Sequence, residues 1–410
     1  MTQFKSIPGG VCAAAGFKAS GIPAGLRKNK DKLDLALIVS DEICNAAGVF
    51  TTNKVFAAPV GVTRAHLKDG KARAIICNSG NANACVSDGY DKAERTCSAL
   101  SKELGCYQDE IIVASTGVIG VSLPLAPIVD GIPELIKSLN PGEAGSDLAA
   151  NAIMTTDTKK KEFAFEFEIG GSKVHIGGIC KGSGMIQPNM ATMLCFITTD
   201  ASISSGMLRA ALGDVIGDTF NMVSVDGDTS TNDMVTIMAS GIAGNPEIKM
   251  PGHDYDIFKD ALKELCTCFC KAIAADGEGA TKLIECRVRN FNDTRKAKIL
   301  AKSVINSSLV KTAMFGADAN WGRILCALGY AGIATLNGDL IDVKFISSKG
   351  EILVCKDGKG VDFSEEKAKE ILLENSIVID IDLKSGLRSA TAWGCDLSYE
   401  YVHINGDYRS

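Results

Sequence analysis

The sequence contains few histidines, no excess of basic residues and no long apolar run, and each of these features excludes a class of function. Four of its 410 residues are histidine, and no G-x-S-x-G nucleophile elbow occurs, so a hydrolase with a histidine-based triad is not expected. With 43 Lys and Arg against 49 Asp and Glu, the net charge is −6. Binding to a phosphate backbone requires positive charge, so we expect no nucleic acid partner.

The hydrophobic pattern and the cysteines argue against a membrane or secreted protein. The longest nearly apolar run, residues 324–336, has 13 residues, whereas a membrane-spanning helix needs about 18 or more. Residues 1–10 contain a lysine and a proline but lack the apolar core of a secretory signal. The 15 cysteines are odd in number, and in a long chain without an export signal they indicate reduced thiols. We therefore expect a cytoplasmic protein that does not bind membranes.

Two patterns resemble metal sites but lack essential ligands. Residues 226–233, DGDTSTND, resemble the start of a calcium loop. The sixth position is Thr231 rather than glycine and the twelfth is Ile237 rather than glutamate, so the stretch predicts a polar turn near a site instead. Three alternating cysteines lack the two-residue gaps of a zinc site and have no histidine nearby; they are Cys266, Cys268 and Cys270. No metal site is predicted.

The order of apolar runs and turns predicts a mixed α/β (α+β) fold. Residues 32–115 alternate short apolar runs with turns and one helical stretch. In residues 163–169, FAFEFEI, apolar and charged side chains alternate, and Gly170 and Gly171 then lead to KVHIGG, which predicts an antiparallel hairpin with one solvated face. From about residue 340, strands and one helix, ending in a predicted strand at residues 399–404, indicate a smaller α+β part.

Residues 181–194, KGSGMIQPNMATML, form the most informative segment. A turn at Pro188 and Asn189 precedes an apolar run, which places Thr192 where a bent loop meets the start of a strand. At such a bend a threonine hydroxyl can attack the preceding carbonyl, here that of Ala191, and form an ester that water cleaves. Thr192 would then begin a new chain with a free α-amine. An ordinary loop-to-strand junction has the same spacing, so the pattern alone leaves both interpretations open.

This segment resembles the self-cleavage site of the ornithine acetyltransferase (glutamate N-acetyltransferase) family of arginine biosynthesis. The resemblance extends along nearly the whole chain through seven motifs that occur in one order. They are AGVFTTNKVFAAPV at Ala47, AIICNSGNANAC at Ala74, ASTGVIG at Ala114, AIMTTDT at Ala152, GEGATK at Gly277, FGADANWGRI at Phe315 and the terminal YVHINGDYRS. Two residues depart from the usual family pattern, since Gly406 stands in place of alanine and Ser410 in place of threonine.

The resemblance implies a particular covalent structure and fold. Cleavage between Ala191 and Thr192 would give an α chain of residues 1–191 and a β chain of residues 192–410. Thr192 would be the N-terminal nucleophile and its own α-amine the base, which agrees with the scarcity of histidine. The implied fold has layered sheets flanked by helices, and residues 340–410 are expected to form a smaller α/β subdomain. Two α and two β chains are expected to form a heterotetramer.

The resemblance also implies a two-step reaction, in which N-acetylornithine acetylates Thr192 and glutamate then takes the acetyl group. Acetyl-CoA would be a second donor in the bifunctional branch of the family, and no residue decides the branch. Thr116 and Gly117 are expected to form the oxyanion hole. The expected substrate contacts are Thr155, Lys181, Thr192, Glu278, Asn405 and Ser410, with Thr156 as an alternative to Thr155. No metal or cofactor is implied.

Two other classes of function stay open at the level of sequence. A related N-terminal-threonine aminopeptidase or amidohydrolase would use the same nucleophile but would let water resolve the acyl-enzyme. It would release acetate whether or not glutamate is present. A non-enzymatic binding protein would remain a single uncleaved chain and would form no acyl adduct.

Overall fold

The computed structural model describes residues 4–187 and 193–407. In these residues, sixteen strands alternate with eleven α-helices. The strands are β1 (Lys5–Ile7), β2 (Phe17–Ile22), β3 (Leu35–Phe50), β4 (Lys71–Asn81), β5 (Ile111–Val118), β6 (Lys161–Ile169), β7 (Ser172–Lys181), β8 (Leu194–Thr199), β9 (Val223–Ser224), β10 (Met234–Ala239), β11 (Leu283–Phe291), β12 (Asp342–Ser347), β13 (Gly350–Lys356), β14 (Lys359–Gly360), β15 (Ser376–Asp382) and β16 (Arg388–Cys395). The helices are α1 (Ala58–His66), α2 (Gly89–Leu104), α3 (Leu125–Lys137), α4 (Glu143–Ile153), α5 (Ser205–Ile216), α6 (His253–Ala275), α7 (Thr294–Asn306), α8 (Ser308–Phe315), α9 (Trp321–Gly329), α10 (Glu365–Leu372) and α11 (Tyr399–Asp407).

Nine strands form the first sheet, in the order β1-β6-β7-β8-β10-β3-β4-β5, with β2 paired to the first part of β3. Strand β3 is 16 residues long and has a register shift between Val39 and Cys44. One core cluster contains buried residues of β4 and β5 together with residues of β7, β8 and β10. Strands on both sides of β3 in the strand order therefore contribute to the same core cluster.

The other seven strands form the second sheet, in the order β14-β13-β12-β15-β11-β16-β9. Strands β15 and β16, which follow residue 340, both pair with β11. The C-terminal part of the chain therefore shares a sheet with residues 283–291. The boundaries proposed from the sequence, at 191/192 and at 340, remain predictions.

Helix α6 lies between the two sheets. It contacts β6 and β7 of the first sheet and β11 and β16 of the second. Phe258, Leu262, Phe269 and Ile273 repeat at intervals of one or two helical turns and are fully buried, so they form the apolar stripe of the helix. Among the described residues no helix, including α6 with its 23 residues, is both long and apolar enough to cross a membrane.

The structure confirms the mixed α/β fold and the predicted hairpin, in which β6 and β7 pair antiparallel on either side of Gly170 and Gly171. Both glycines have positive φ values, 55° and 82°, which the tight turn requires. The prediction of a strand at residues 399–404 is wrong, because this segment belongs to helix α11. Helix α11 has no buried residue, and a helix satisfies its own backbone hydrogen bonds where no strand is available as a partner.

Candidate active site

A polar pocket of about 190 Å³ brings together the described residues that the sequence predicted for the site. They are Thr116 and Gly117 on β5, Thr155 after α4, Lys181 at the end of β7, Glu278 after α6 and Asn405 on α11. Met193 also lines the pocket, and it is covalently bonded to Thr192. The predicted residues Ala191, Thr192 and Ser410 lie outside the described residues.

The predicted oxyanion residues lie where β5 runs parallel to β4. Gly117 pairs with Gly80 and has a φ of 133°. Any side chain at position 117 would collide with the backbone of Gly80, so only glycine allows the two strands to approach this closely. The neighbouring Thr116 is 8% exposed. The backbone of Gly117 and the hydroxyl group of Thr116 therefore lie side by side at the pocket wall.

Lys181 supplies the positive charge of the pocket. Its ammonium group donates a hydrogen bond to the Thr116 hydroxyl over 3.4 Å. Within residues 4–187 and 193–407 it forms no ion pair with a carboxylate. The ammonium group acts to lower the pKa values of Asp157 and Asp233 without pairing with either carboxylate. A half-buried ammonium group of this kind in a pocket is suited to hold the carboxylate of an amino acid.

The two candidate threonines differ in the use of their hydroxyl groups. The Thr156 hydroxyl shares a 2.7 Å hydrogen bond with Ser183. The Thr155 backbone N–H donates to Asp157 at 3.1 Å, but its hydroxyl has no hydrogen-bond partner among the described residues. An unengaged hydroxyl remains available to a ligand, and Thr155 stays the predicted substrate contact with Thr156 as the alternative.

A buried ion-pair network supports both Thr155 and the end of β7. Asp157 accepts hydrogen bonds from Lys161 at 2.8 Å and from the Gly182 N–H at 2.7 Å. Lys161, which is 1% exposed, also donates to Asp276 at 2.6 Å. Burial by itself would raise the pKa of Asp157, but the ammonium groups of Lys161 and Lys181 outweigh burial and lower it to about 2. Asp157 is therefore ionised at any physiological pH.

Glu278 and Asn405 meet at the opposite side of the pocket. The Asn405 side-chain amide donates to the Glu278 carboxylate at 2.9 Å and to the Tyr401 carbonyl at 3.0 Å. Burial raises the pKa of Tyr401 to about 12, and the carboxylates of Asp226 and Glu278 add to this effect. Helix α11 thus brings Asn405 to the pocket, although the sequence predicted a strand there.

The stretch 226–233, predicted as a polar turn near a site, does line the pocket. Sequence reasoning treated it as a turn and overlooked its individual side chains, above all Asp233, which is 3% exposed. The Oδ2 atom of Asp233 is buried without a hydrogen-bond partner in the described part of the chain. Burial raises the pKa of Asp233 well above its ordinary range, although the Lys181 ammonium and Ser230 act in the opposite direction. The density of acidic residues in DGDTSTND was the available signal.

We predict that Asp233→Asn stabilises the protein at pH 7. Because its pKa is raised on folding, the folded state binds the Asp233 proton more tightly than the unfolded state. This contribution to stability is complete below the ordinary aspartate pKa and is lost as pH rises towards the raised value. An asparagine does not ionise, so the variant should melt at least about 2 °C higher than wild type at pH 7 and no higher at pH 3.5. Thermal melts at both pH values measure this, and a lower Tm at pH 7 would contradict it.

No group of three or more His, Cys, Asp or Glu side chains within the described ranges is arranged to hold a metal ion. The three alternating cysteines lie on α6, where Cys266 and Cys270 are buried in the core and Cys268 is partly buried. The pocket itself is lined by hydroxyl, ammonium, carboxylate and amide groups.

The layered α/β fold and the residues gathered in this pocket agree with the resemblance seen in the sequence, and comparison with known proteins gives the family. The sequence model of the ArgJ family matches residues 18–410. The arginine biosynthesis bifunctional protein ArgJ 1 of Clostridium acetobutylicum is 49% identical over 395 residues, which is 96% of each chain. The ArgJ protein of Lactococcus lactis is 48% identical over 407 residues, 99% of this chain and 100% of the relative.

A solved structure is also similar. The crystal structure of the arginine biosynthesis bifunctional protein ArgJ from Bacillus halodurans has 46% sequence identity and a TM-score of 0.50. The match covers 53% of this chain and 100% of the Bacillus halodurans chain. The chain belongs to the ArgJ family. The family resemblance and the enzyme class predicted from the sequence, a glutamate N-acetyltransferase of arginine biosynthesis, are thereby confirmed.

Proposed function

We propose that this protein is a self-cleaving acetyltransferase that moves an acetyl group from N-acetylornithine to glutamate through an acetyl-Thr192 intermediate. The observation that carries the proposal is the meeting of six predicted residues, from five separate parts of the chain, in the pocket that Met193 also lines. Thr192 is one peptide bond from Met193, so the proposed nucleophile is covalently tied to the wall of this pocket.

The length of the solved relative supports cleavage. The Bacillus halodurans chain is matched in full, yet it spans 53% of this chain. Residues 192–410 amount to 219 of 410 residues, or 53% of the sequence. The Clostridium and Lactococcus proteins, whose sequences include both parts, match at least 96% of this chain. A separate β chain of the proposed length accounts for this difference.

The proposed cleavage is an intramolecular acyl shift followed by hydrolysis. The Thr192 hydroxyl oxygen attacks the carbonyl carbon of Ala191, the peptide C–N bond breaks, and the hydroxyl proton passes to the departing nitrogen. Water then cleaves the ester, which leaves a carboxylate on Ala191 and a free α-amine on Thr192. An ordinary α-amine has a pKa of about 7.7 to 8.0, so part of the population is neutral and can act as a base.

In the transfer reaction, the Thr192 oxygen attacks the acetyl carbonyl of N-acetylornithine and gives its proton to the α-amine. We propose that Thr116 and the backbone at Gly117 stabilise the resulting oxyanion. The C–N bond to ornithine breaks as the α-amine passes this proton to the departing nitrogen. The amine of glutamate then attacks the acetyl carbonyl of the acetyl-threonine and gives a proton to the α-amine, and the C–O bond breaks as the Thr192 oxygen takes that proton. We propose that Lys181 binds the α-carboxylate that both amino acids carry and that Glu278 binds the second amine of ornithine.

The test is acetyl transfer by the purified protein. With N-acetylornithine as donor, acetylglutamate should form only when glutamate is present, because the acetyl-threonine awaits an amine. An aminopeptidase or amidohydrolase would instead release acetate at the same rate with or without glutamate. A binding protein would turn over neither substrate.

We predict that acetyl-CoA is the poorer donor. Relatives carry the name bifunctional, so we propose that acetyl-CoA also acetylates Thr192. Exchange between two amino acids uses the contacts of the pocket in both half-reactions, so kcat/KM with N-acetylornithine should exceed kcat/KM with acetyl-CoA at least about tenfold. Initial rates with each donor measure this ratio. Comparable values for the two donors would contradict the prediction.

We predict that Asn405→Ala lowers kcat/KM for N-acetylornithine about tenfold, since it removes a hydrogen bond to a charged group that orients Glu278. Asn405 is exposed, so the Tm should stay within about 1 °C of wild type. His403→Ala, on the same helix and also exposed, is the matched control and should keep wild-type kinetics. Unchanged kinetics in Asn405→Ala would show that the Asn405 side chain does not take part in binding.

We further propose that the two chains stay together in a cytoplasmic heterotetramer. Strand β7 of the α chain pairs with β8 of the β chain, and β3 of the α chain pairs with β10 of the β chain. After cleavage, the backbone hydrogen bonds of these two strand pairs would still join the chains. All 15 cysteines are unpaired, which supports a reducing compartment. Native mass measurement would give two copies of each chain.

A further inference from the structure

Hydrogen bonds hold the described chain on both sides of residues 188–192, and their partners lie in one stretch, residues 225–234. Upstream, the Gln187 N–H donates to the Asp228 carbonyl at 2.8 Å. The Thr229 hydroxyl donates to the Gln187 carbonyl, also at 2.8 Å. Downstream, the Met193 carbonyl accepts the Met234 N–H at 2.9 Å. A single stretch therefore fixes the two points between which the proposed cleavage segment runs.

Asp226 makes the strongest of these contacts with its side chain. One carboxylate oxygen accepts the Met185 N–H and the other accepts the Ile186 N–H, each at 2.7 Å. The Val225 N–H donates to the Ile186 carbonyl at 2.7 Å. Hydrogen bonds to an ionised acceptor are about twice as strong as neutral ones. Because each oxygen takes a different N–H, the carboxylate fixes the orientation of two consecutive peptide groups.

The conformation held in this way is one that the chain would not adopt readily by itself. Met185 has a φ of 52°, in the left-handed region that disfavours residues other than glycine. The next residue, Ile186, is 1% exposed, so it is anchored in the core. The residue before, Gly184, lies beside the Glu278 carboxylate, which would have to shift to admit a side chain at 184. The turn directly upstream of the cleavage segment is thus held by Asp226 and by the burial of Ile186.

We propose that Asp226 is a positioning residue for self-cleavage, which holds Met185 and Ile186 so that the following residues approach the oxyanion site in the reactive geometry. This inference rests on the self-cleavage proposed above. Asp226 exchanges no atom or proton in the step, in which the Thr192 oxygen bonds to the Ala191 carbonyl carbon as the C–N bond breaks. A misplacement of about 1 Å at the reacting atoms lowers a rate by up to about a hundredfold. The two hydrogen bonds from the turn to Asp226 therefore govern the cleavage rate.

The test is the rate of cleavage of the full-length Asp226→Asn variant, followed on denaturing gels after synthesis. Asparagine keeps the shape of the side chain but offers one acceptor oxygen and turns an NH₂ group towards a backbone N–H. We expect cleavage at least about tenfold slower than in wild type. The control is Asp260→Asn, which removes the same charge on helix α6. Asp260 is exposed and does not line the pocket, so this variant should cleave at the wild-type rate.

Two further measurements separate positioning from folding. In the Thr192→Ala background, which is not expected to cleave, Asp226→Asn should change the Tm by less than about 3 °C. Asp226→Glu keeps the charge but moves the carboxylate by one methylene, and it should also cleave slowly. Wild-type cleavage in either Asp226 variant would overturn the inference, as would equally slow cleavage in Asp260→Asn. If wild type itself stays uncleaved, it is the proposed function that fails.

Discussion

The Thr192→Ala variant is expected to remain a single 43.1 kDa chain that has lost acetyl transfer. Wild type should instead give two chains, of roughly 20 and 23 kDa when the mass is divided in proportion to length. The Thr192 oxygen is the nucleophile in cleavage and in the first half-reaction, and it carries the acetyl group into the second, so its removal abolishes all three. The loss in kcat should reach about 10⁵-fold or more, the order seen when a nucleophile is removed from other acyl-transfer enzymes.

Thr192→Ser is the matched control, because it keeps the hydroxyl and removes one methyl group. It should cleave, though more slowly, and should retain measurable transfer. Gel analysis with N-terminal sequencing, and initial rates of acetylglutamate formation, measure both properties. Two bands or substantial transfer in Thr192→Ala would mean that another residue supplies the nucleophile.

Replacement of Lys161 with methionine is expected to lower the free energy of unfolding by about 3 to 5 kcal/mol, the cost of breaking a buried ion pair by removing one partner. Lys161 lies between Asp157 and Asp276, with ammonium-to-oxygen distances of 2.8 and 2.6 Å. Both carboxylates are nearly inaccessible, with side-chain exposures of 0% and 4%. Methionine fills a similar volume but leaves two buried carboxylates without their cation.

Denaturant unfolding in the Thr192→Ala background measures this loss on one continuous chain. Lys160→Met is the matched control, since the neighbouring Lys160 pairs with Asp147 and Glu162 at the surface and is 44% exposed. Surface pairs contribute about 1 kcal/mol or less, so this variant should unfold close to its parent. A loss below about 1 kcal/mol in Lys161→Met would show that the two aspartates find other partners.

The composition of the site was predictable because its residues lie in short motifs with characteristic neighbours. Thr116 and Gly117 occur in ASTGVIG and Glu278 in GEGATK, and each motif lines the pocket. The hairpin at Gly170 was predictable for a related reason. Alternation in β6 and a glycine pair at the turn are local signals, and they do not depend on the rest of the fold.

The pairing of distant strands was not predictable from local patterns. Strand β3 pairs with β2, β4 and β10, and a register shift between Val39 and Cys44 separates its two parts. Nothing in its sequence specifies which neighbour each part takes, because apolar runs indicate burial and not the identity of the partner. Asp233 was missed for the same reason, since its burial and its unpaired oxygen arise only when β10 is packed into the sheet.

The C-terminal segment shows how composition can favour the wrong element. Residues 399–404, YEYVHI, are rich in β-branched and aromatic residues, which favour strands when a sheet edge is available. In the fold this segment lies beside the pocket, and the hydrogen bond from Asn405 to Glu278 ties its helix to the rest of the molecule. The surroundings of this segment in the fold therefore outweigh the intrinsic preference of its residues for a strand.

The central claim is that Thr192 is both the point of cleavage and the carrier of the acetyl group. The most direct test is mass analysis of the denatured wild-type protein after mixing with N-acetylornithine in the absence of glutamate. The account predicts a β chain that begins at Thr192 and carries one acetyl group on its first residue, which disappears when glutamate is added. A fully active, uncleaved chain, or an active β chain that never carries the acetyl group on Thr192, would contradict it.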